Sequence, residues 1–225
     1  TATDITLNGS YMVIAPGTHT LKIDCYIKDP TTEVEGFISQ TVSTTFAFNT
    51  VTDITANLTP TDYGSPLYCQ WDATIPYTNG GANEYNPAAY TYSTQASNLC
   101  KDCPNINQAM WYVERGNACW DADLLWSQWN HLYKSGIWIK KSSEISGFTD
   151  ATAPNGIDYR VNAPHLWDGI QATPNPTRPT DTTGYFFLPS AGFYVFGSFL
   201  NIGVYGQYWT SSTINHPNPA AVFTI

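Results

Sequence analysis

The sequence predicts a β-rich α+β protein, with a β-sandwich segment over residues 1–62 and an α+β domain over residues 63–225. Three observations predict it. Polarity comes mainly from Thr, Ser, Asn and Gln, and only 12% of residues are charged, against roughly 25% in ordinary domains. Thr and aromatic residues fit a pleated surface, while Asn and Gly supply turns. Apolar and polar residues alternate near the N-terminus. Composition then changes after a Thr/Pro/Gly-rich stretch at residues 59–66, beyond which seven of the eight Trp fall between residues 71 and 167. With 42% hydrophobic and 15% aromatic residues, a core can form, which excludes wholesale disorder.

The elements follow from local pattern. In residues 21–27 the odd positions are apolar, and Lys22 and Asp24 face the other way. Period two predicts a half-buried strand, entered by a turn at residues 15–17. Further strands are expected at 37–42, 46–48 and 54–58. Residues 106–115 predict a helix, with Pro104 and Asn105 before it, Gly116 after it, and Ile106, Met110 and Val113 on one face. A second helix is expected over residues 121–133, capped by Asp121, with Leu125, Trp129 and Leu132 on one face and Gly136 stopping it. A strand follows at 137–140. Residues 151–183 read as a long loop and 184–225 as a glycine-punctuated meander. Trp-Asp pairs at Trp71-Asp72, Trp120-Asp121 and Trp167-Asp168 are too widely spaced for a propeller repeat and lack its Gly-His partner.

Charge excludes one class of partner. The net charge is −9, and Lys140-Lys141 is the only basic cluster. Nucleic-acid binding needs cations to displace counterions from phosphate, so no nucleic acid is expected. No run of about 18 apolar residues exists, so the chain is not expected to span a membrane as a helix. The start at Thr1 and the strand-like end at residues 221–225 are expected of a piece trimmed from a longer exported precursor.

Cysteines sit at 25, 69, 100, 103 and 119. Cys69, Cys100, Cys103 and Cys119 are candidates for disulfides in an oxidising compartment. Other readings are buried thiols, a metal set of Cys100, Cys103, Cys119 and His131, or a redox pair before a helix. No cofactor is expected. The four His are scattered, the two carboxylates of a glycosidase are not signalled, and no phosphate-cradling loop is present. The candidate ligand-binding residues lie in two loops. Tyr85, Tyr90 and Tyr92 belong to a Tyr-rich stretch starting at Tyr77, and His165, Trp167 and Arg178 to a Pro/Asn/Thr-rich one. Aromatic side chains in long loops suit a contact surface.

The C-terminal segment holds the most specific pattern. It reads Gly184-Tyr185-Phe186-Phe187-Leu188-Pro189-Ser190-Ala191-Gly192-Phe193-Tyr194, with Gly197, Gly203 and Gly206 following, and then Tyr208-Trp209-Thr210-Ser211-Ser212. This resembles the closing motif of a paralogous domain in fimbrillin-like bacterial surface adhesins. The block at residues 100–141 is similar to the middle of the same proteins. The resemblance implies a C-type-lectin-like fold for residues 63–225 and a fimbrillin-like sandwich before it. It implies adhesion or fimbrial assembly at the cell surface, and no catalytic residues. The calcium-site triplets of true lectins are absent. Leu188, Pro189, Gly192, Gly203, Gly206 and Trp209 are the structural residues of the motif. The glycines are expected to allow turns with positive φ, and Trp209 to plug the core near Leu188.

The expected function is therefore a non-enzymatic cell-surface or fimbrial adhesin, extracellular or on the outer membrane. Its partners would be host or bacterial surface proteins or glycans, or other fimbrial subunits by strand exchange. The alternatives are a secreted carbohydrate-binding module acting through exposed aromatics, and an enzyme that uses its thiols on a lectin-like scaffold.

Overall fold

The structure is a computed structural model that describes residues 11–54, 58–64, 68–77, 94–161, 170–195, 197–213 and 220–225. It is β-rich, with one α-helix among the described residues. The N-terminal alternation becomes a long hairpin: β1 (Gly17–Lys28) pairs antiparallel with β2 (Glu35–Phe46), from Gly17 opposite Phe46 to Lys28 opposite Glu35. One face carries Leu21, Ile23, Ile27, Ile38, Val42 and Phe46, half-buried, and the other is exposed throughout. This hairpin is a two-stranded sheet by itself. Near its turn end it meets the body, where Leu125 packs on Gly36. The strand expected at 46–48 stops at Phe46, where a turn begins. Residues 51–54 are not strand, and 55–57 lie outside the described residues.

A two-stranded hairpin is marginal in water unless something anchors it. Here the β1–β2 turn docks on the body. Asp29 accepts the Leu132 N–H at 2.8 Å and lies 3.1 Å from the His131 ring. Thr32 donates its hydroxyl to the Leu132 carbonyl at 2.8 Å.

The body contains a four-stranded sheet in the order β3 (Thr61–Asp62), β4 (Cys119–Gln128), β5 (His131–Lys140), β7 (Tyr185–Pro189). β3 runs parallel to β4, and the other pairs are antiparallel. The expected boundary at residue 62 thus falls at the end of a strand that pairs with Trp126 and Ser127. A second sheet has the order β10 (Gln207–Thr213), β11 (Ala220–Thr224), β6 (Ile170–Gln171), with β6 parallel to β11. A short hairpin of β8 (Phe193–Val195) and β9 (Ser198–Leu200) stands beside it. The C-terminal stretch is therefore not one meander, because β7 joins β5 while β10 and β11 join β6.

The helix, α1, spans Ile106–Arg115 and ends at Gly116, as its local signals predict. Asn105 caps it, its side chain accepting the Gln108 N–H at 3.0 Å while Gln108 accepts the Asn105 N–H at 2.8 Å. The core lies between α1, Ile137 and Ile139 of β5, and Ile170 and Phe223 of the second sheet. Asn107 on α1 is fully buried. It donates to the Ala151 carbonyl and the Asp158 carboxylate and accepts the Tyr159 N–H at 2.8 Å, fixing the 150–159 loop.

The second helix expected over residues 121–133 is not formed. The segment is the β4–β5 hairpin, turning at Trp129 and Asn130, whose φ values are +52° and +61°. Two successive left-handed residues make the turn whose twist suits a tight hairpin. The misreading has a physical cause. Leu125 packs against Gly36 of the hairpin, while Trp126 lies between Tyr63 and Tyr133. With both faces covered, consecutive residues are buried and period two disappears.

Leu132 and Thr31 N–H groups hold the Asp29 carboxyl down at about 2. A depressed carboxyl stabilises the fold above its unfolded pKa of about 3.9 and loses that contribution as the pH falls through its folded value. The wild-type Tm should therefore fall between about pH 4 and about pH 2. Asp29→Asn should lower Tm at neutral pH and flatten this part of the profile. Faster amide hydrogen exchange in β1 and β2 would report release of the hairpin, and an unchanged exchange pattern would show that Asp29 is not its anchor.

Candidate functional site

A cavity of about 340 Å³ opens where four segments meet. Residues 68–77 form one wall with Tyr68, Cys69 and Tyr77, and the turn before α1 forms another with Leu99, Cys100 and Cys103. β8 adds Phe193 and Tyr194, and β10 adds Tyr208 and Trp209.

Asp72 holds the first two walls together. It is fully buried. Its carboxylate accepts the N–H groups of Ser97 at 2.8 Å, Asn98 at 2.7 Å and Cys100 at 3.1 Å. Its own N–H points at the Cys100 sulfur at 3.1 Å. A carboxylate with several N–H donors can remain buried because its lone pairs are satisfied. Trp71 beside it is 2% exposed and donates its indole N–H to the Thr210 carbonyl at 2.9 Å. The Trp71-Asp72 pair thus ties three segments together. Asp121 of the second such pair is also buried and accepts the Leu124 N–H and the Trp138 indole. Trp167-Asp168 lies outside the described residues.

The thiols differ in environment. Cys100 hydrogen-bonds Cys69, which lowers the Cys69 pKa against the opposing effect of burial. For Cys100 the hydrogen bond with Cys103 lowers the pKa, but the bond to Cys69 and burial outweigh it and push the thiol up to about 12. Cys103 is driven far up by its hydrogen bond to Cys100 and by burial. All five cysteines are free thiols in the structure. Cys119 stands apart, its sulfur donating to the Asn117 carbonyl at 3.3 Å, and His131 sits against Asp29. The structure therefore brings together Cys69, Cys100 and Cys103 and leaves out Cys119 and His131. Among the described residues no group of three or more His, Cys, Asp or Glu is placed to hold a metal ion.

A run of aromatic rings borders the cavity. Trp129 and Tyr68 stack at 5.6 Å, Phe199 lies 4.6 Å from Trp129 and 4.7 Å from Tyr194, and Tyr194 lies 4.4 Å from Tyr77. These rings come from loops and hairpins in several parts of the chain, and among them the sequence marks only Tyr77 as a candidate for a contact surface. Of the loop candidates, Tyr85, Tyr90, Tyr92, His165 and Trp167 lie outside the described residues. Arg178 is half-exposed, 3.5 Å from the Asp121 carboxylate, with its guanidinium 5.6 Å from the Trp138 ring centre.

The structural motif is placed as follows. Leu188 and Pro189 pair with Ile137 and Gly136 in the first sheet. Gly192 has φ +68°, and a Cβ there would lie 2.2 Å from the Leu200 carbonyl oxygen, so a side chain is excluded by both strain and space. Gly203 also has positive φ, but Gly206 does not. At Gly206 the constraint is room, since a Cβ would meet Ile225 at 3.0 Å. Trp209 does not plug the core. It is half-buried at the cavity wall and donates its indole N–H to the Cys69 carbonyl at 2.8 Å. Tyr208 packs on the core instead, its hydroxyl donating to the Pro189 carbonyl, and burial pushes its pKa far up.

No family model, no curated protein and no solved structure matches this chain.

Asp72→Ala should leave the Ser97, Asn98 and Cys100 N–H groups without their acceptor. Buried donors left unpaired cost about 1–3 kcal/mol each, so a loss of about 3 kcal/mol or more is expected in denaturant unfolding. Alkylation of Cys100 should accelerate in parallel. Normal stability with unchanged alkylation would show that Asp72 does not organise the site.

Proposed function

We propose that the chain is a non-catalytic, exported adhesin module of the cell surface or of a fimbrium. Its body would be lectin-like, and residues 1–62 would be part of a fimbrillin-like sandwich completed by strands from elsewhere. The observation that carries this reading is the β1–β2 hairpin. Each of its 12-residue strands has an edge with no partner strand among the described residues. The half-buried apolar face gives a second sheet something to cover. Unpaired main-chain groups on such edges accept an added strand, and alternate side chains give the pairing its register. The partner is then a strand of another subunit, or of a host or bacterial surface protein.

A second reading rests on the aromatic run from Trp129 to Tyr77. Flat rings beside a cavity suit stacking on sugar faces, which favours a secreted carbohydrate-binding module.

Glycan and matrix-protein arrays probed with the purified chain, together with sedimentation of the chain alone, separate these readings. The adhesin reading expects protein binding or self-association that falls at least about tenfold in Ile23→Lys and Val42→Lys, since edge and face charges block strand addition. The melting of the body should stay unchanged in both variants. Glycan binding that is lost in Tyr194→Ala but kept in the hairpin variants would replace the adhesin reading with the second. Absence of both kinds of binding would sink the two together.

A further inference from the structure

Cys69, Cys100 and Cys103 line one side of the cavity. Cys100 shares a hydrogen bond with each of the other two. All three backbones are held. The Cys69 carbonyl takes the Trp209 indole N–H at 2.8 Å, the Cys100 N–H reaches the Asp72 carboxylate at 3.1 Å, and the Cys103 N–H donates to the Cys100 carbonyl at 3.1 Å. The site is thus built by residues distant in sequence and does not depend on one flexible loop. Cys69 is half-buried and Cys100 is 2% exposed, so a molecule in the cavity meets Cys69 more readily.

We propose that these three residues form a dithiol–disulfide site that reacts with small-molecule disulfides, closing a Cys69–Cys100 disulfide and leaving Cys103 as a thiol. The hydrogen bond from Cys100 favours the Cys69 thiolate, which is the nucleophilic form. That thiolate attacks one sulfur of the small disulfide. The disulfide bond breaks, and the first small thiolate leaves and takes up the proton Cys69 had lost. Cys100 then attacks the Cys69 sulfur and breaks the mixed disulfide. The second small thiol leaves with the Cys100 proton. Two protein thiols have lost two electrons, and one small disulfide has become two thiols. Cys103 is the poorest nucleophile of the three, because burial and its bond to Cys100 hold its proton. Closure ties residue 69 to residue 100 across the chain segment that contains Tyr85, Tyr90 and Tyr92. A cross-link between residues 69 and 100 restricts the unfolded chain, so the redox state sets the stability of the fold.

The test is incubation of the full chain with oxidised glutathione, followed by alkylation and peptide mapping by mass spectrometry. The expected product is one Cys69–Cys100 cross-link, with Cys25, Cys103 and Cys119 alkylated. The oxidised protein should melt about 5–15 °C above the reduced one. Cys103→Ser should still form the link, whereas Cys69→Ser should not. Should Cys69→Ser fail to fold, the wild-type map decides alone. Five alkylated thiols, a Cys100–Cys103 link, a glutathione adduct stalled on Cys69, or a link to Cys25 or Cys119 would each overturn the proposal.

Discussion

The buried carboxylate of Asp72 is the interaction on which the cavity depends. It gathers three backbone N–H groups from residues 97, 98 and 100, which no regular element pairs. Backbone donors in an irregular segment have to find acceptors or stay in water. By supplying the acceptor, Asp72 lets the turn before α1 pack inside the molecule. It also sets Cys69 and Cys100 against each other, because residues 68–77 and 97–103 meet through this side chain. The positive φ of Asp72 itself, +51°, shows that the chain bends sharply to bring the carboxylate in.

The same accounting explains the rest of the body. Asn107 on α1 and Asp121 on β4 are buried polar residues that satisfy loop and bulge backbone. Trp side chains add donors to carbonyls far along the chain. Trp71 reaches Thr210, Trp111 reaches Thr152, and Trp209 reaches Cys69. A domain with short strands and long connections leaves many main-chain groups outside its ladders. Here buried Asp, Asn and Trp take the place that longer strands would otherwise fill, and their indoles contribute apolar area at the same time.

The hairpin and the cavity are different kinds of surface. The hairpin presents main-chain edges and a half-buried apolar face. The cavity presents rings and thiols held at fixed places, which suit a small molecule. The β4–β5 turn serves both, since His131 and Leu132 meet Asp29 of the hairpin turn while Trp129 stacks on Tyr68 at the cavity.

Much of the local structure was legible in the sequence. α1 was readable at both ends because its cap, its Gln108 and its terminal glycine act within a few residues of one another. β1 and β2 were readable because one face stays polar, so period two survives. The class, β-rich with a helix, follows from composition and these patterns. The 121–133 segment was misread because covering both faces of β4 erased the alternation that marks a strand. The parallel pairs β3–β4 and β6–β11 left no local trace, since their partners lie tens of residues apart. That Tyr208 reaches the core while Trp209 stays at the cavity wall was decided by what each side of β10 packs against. The thiol site has the same origin. The spacing of Cys100 and Cys103 is local and visible, but Cys69 joins them only through Asp72. The sequence alone determined which short segments prefer helix, strand or turn, because those preferences come from neighbouring residues. Tertiary structure decided which buried carboxylate meets which loop, and so where the site lies, because that depends on contacts between residues far apart in the chain.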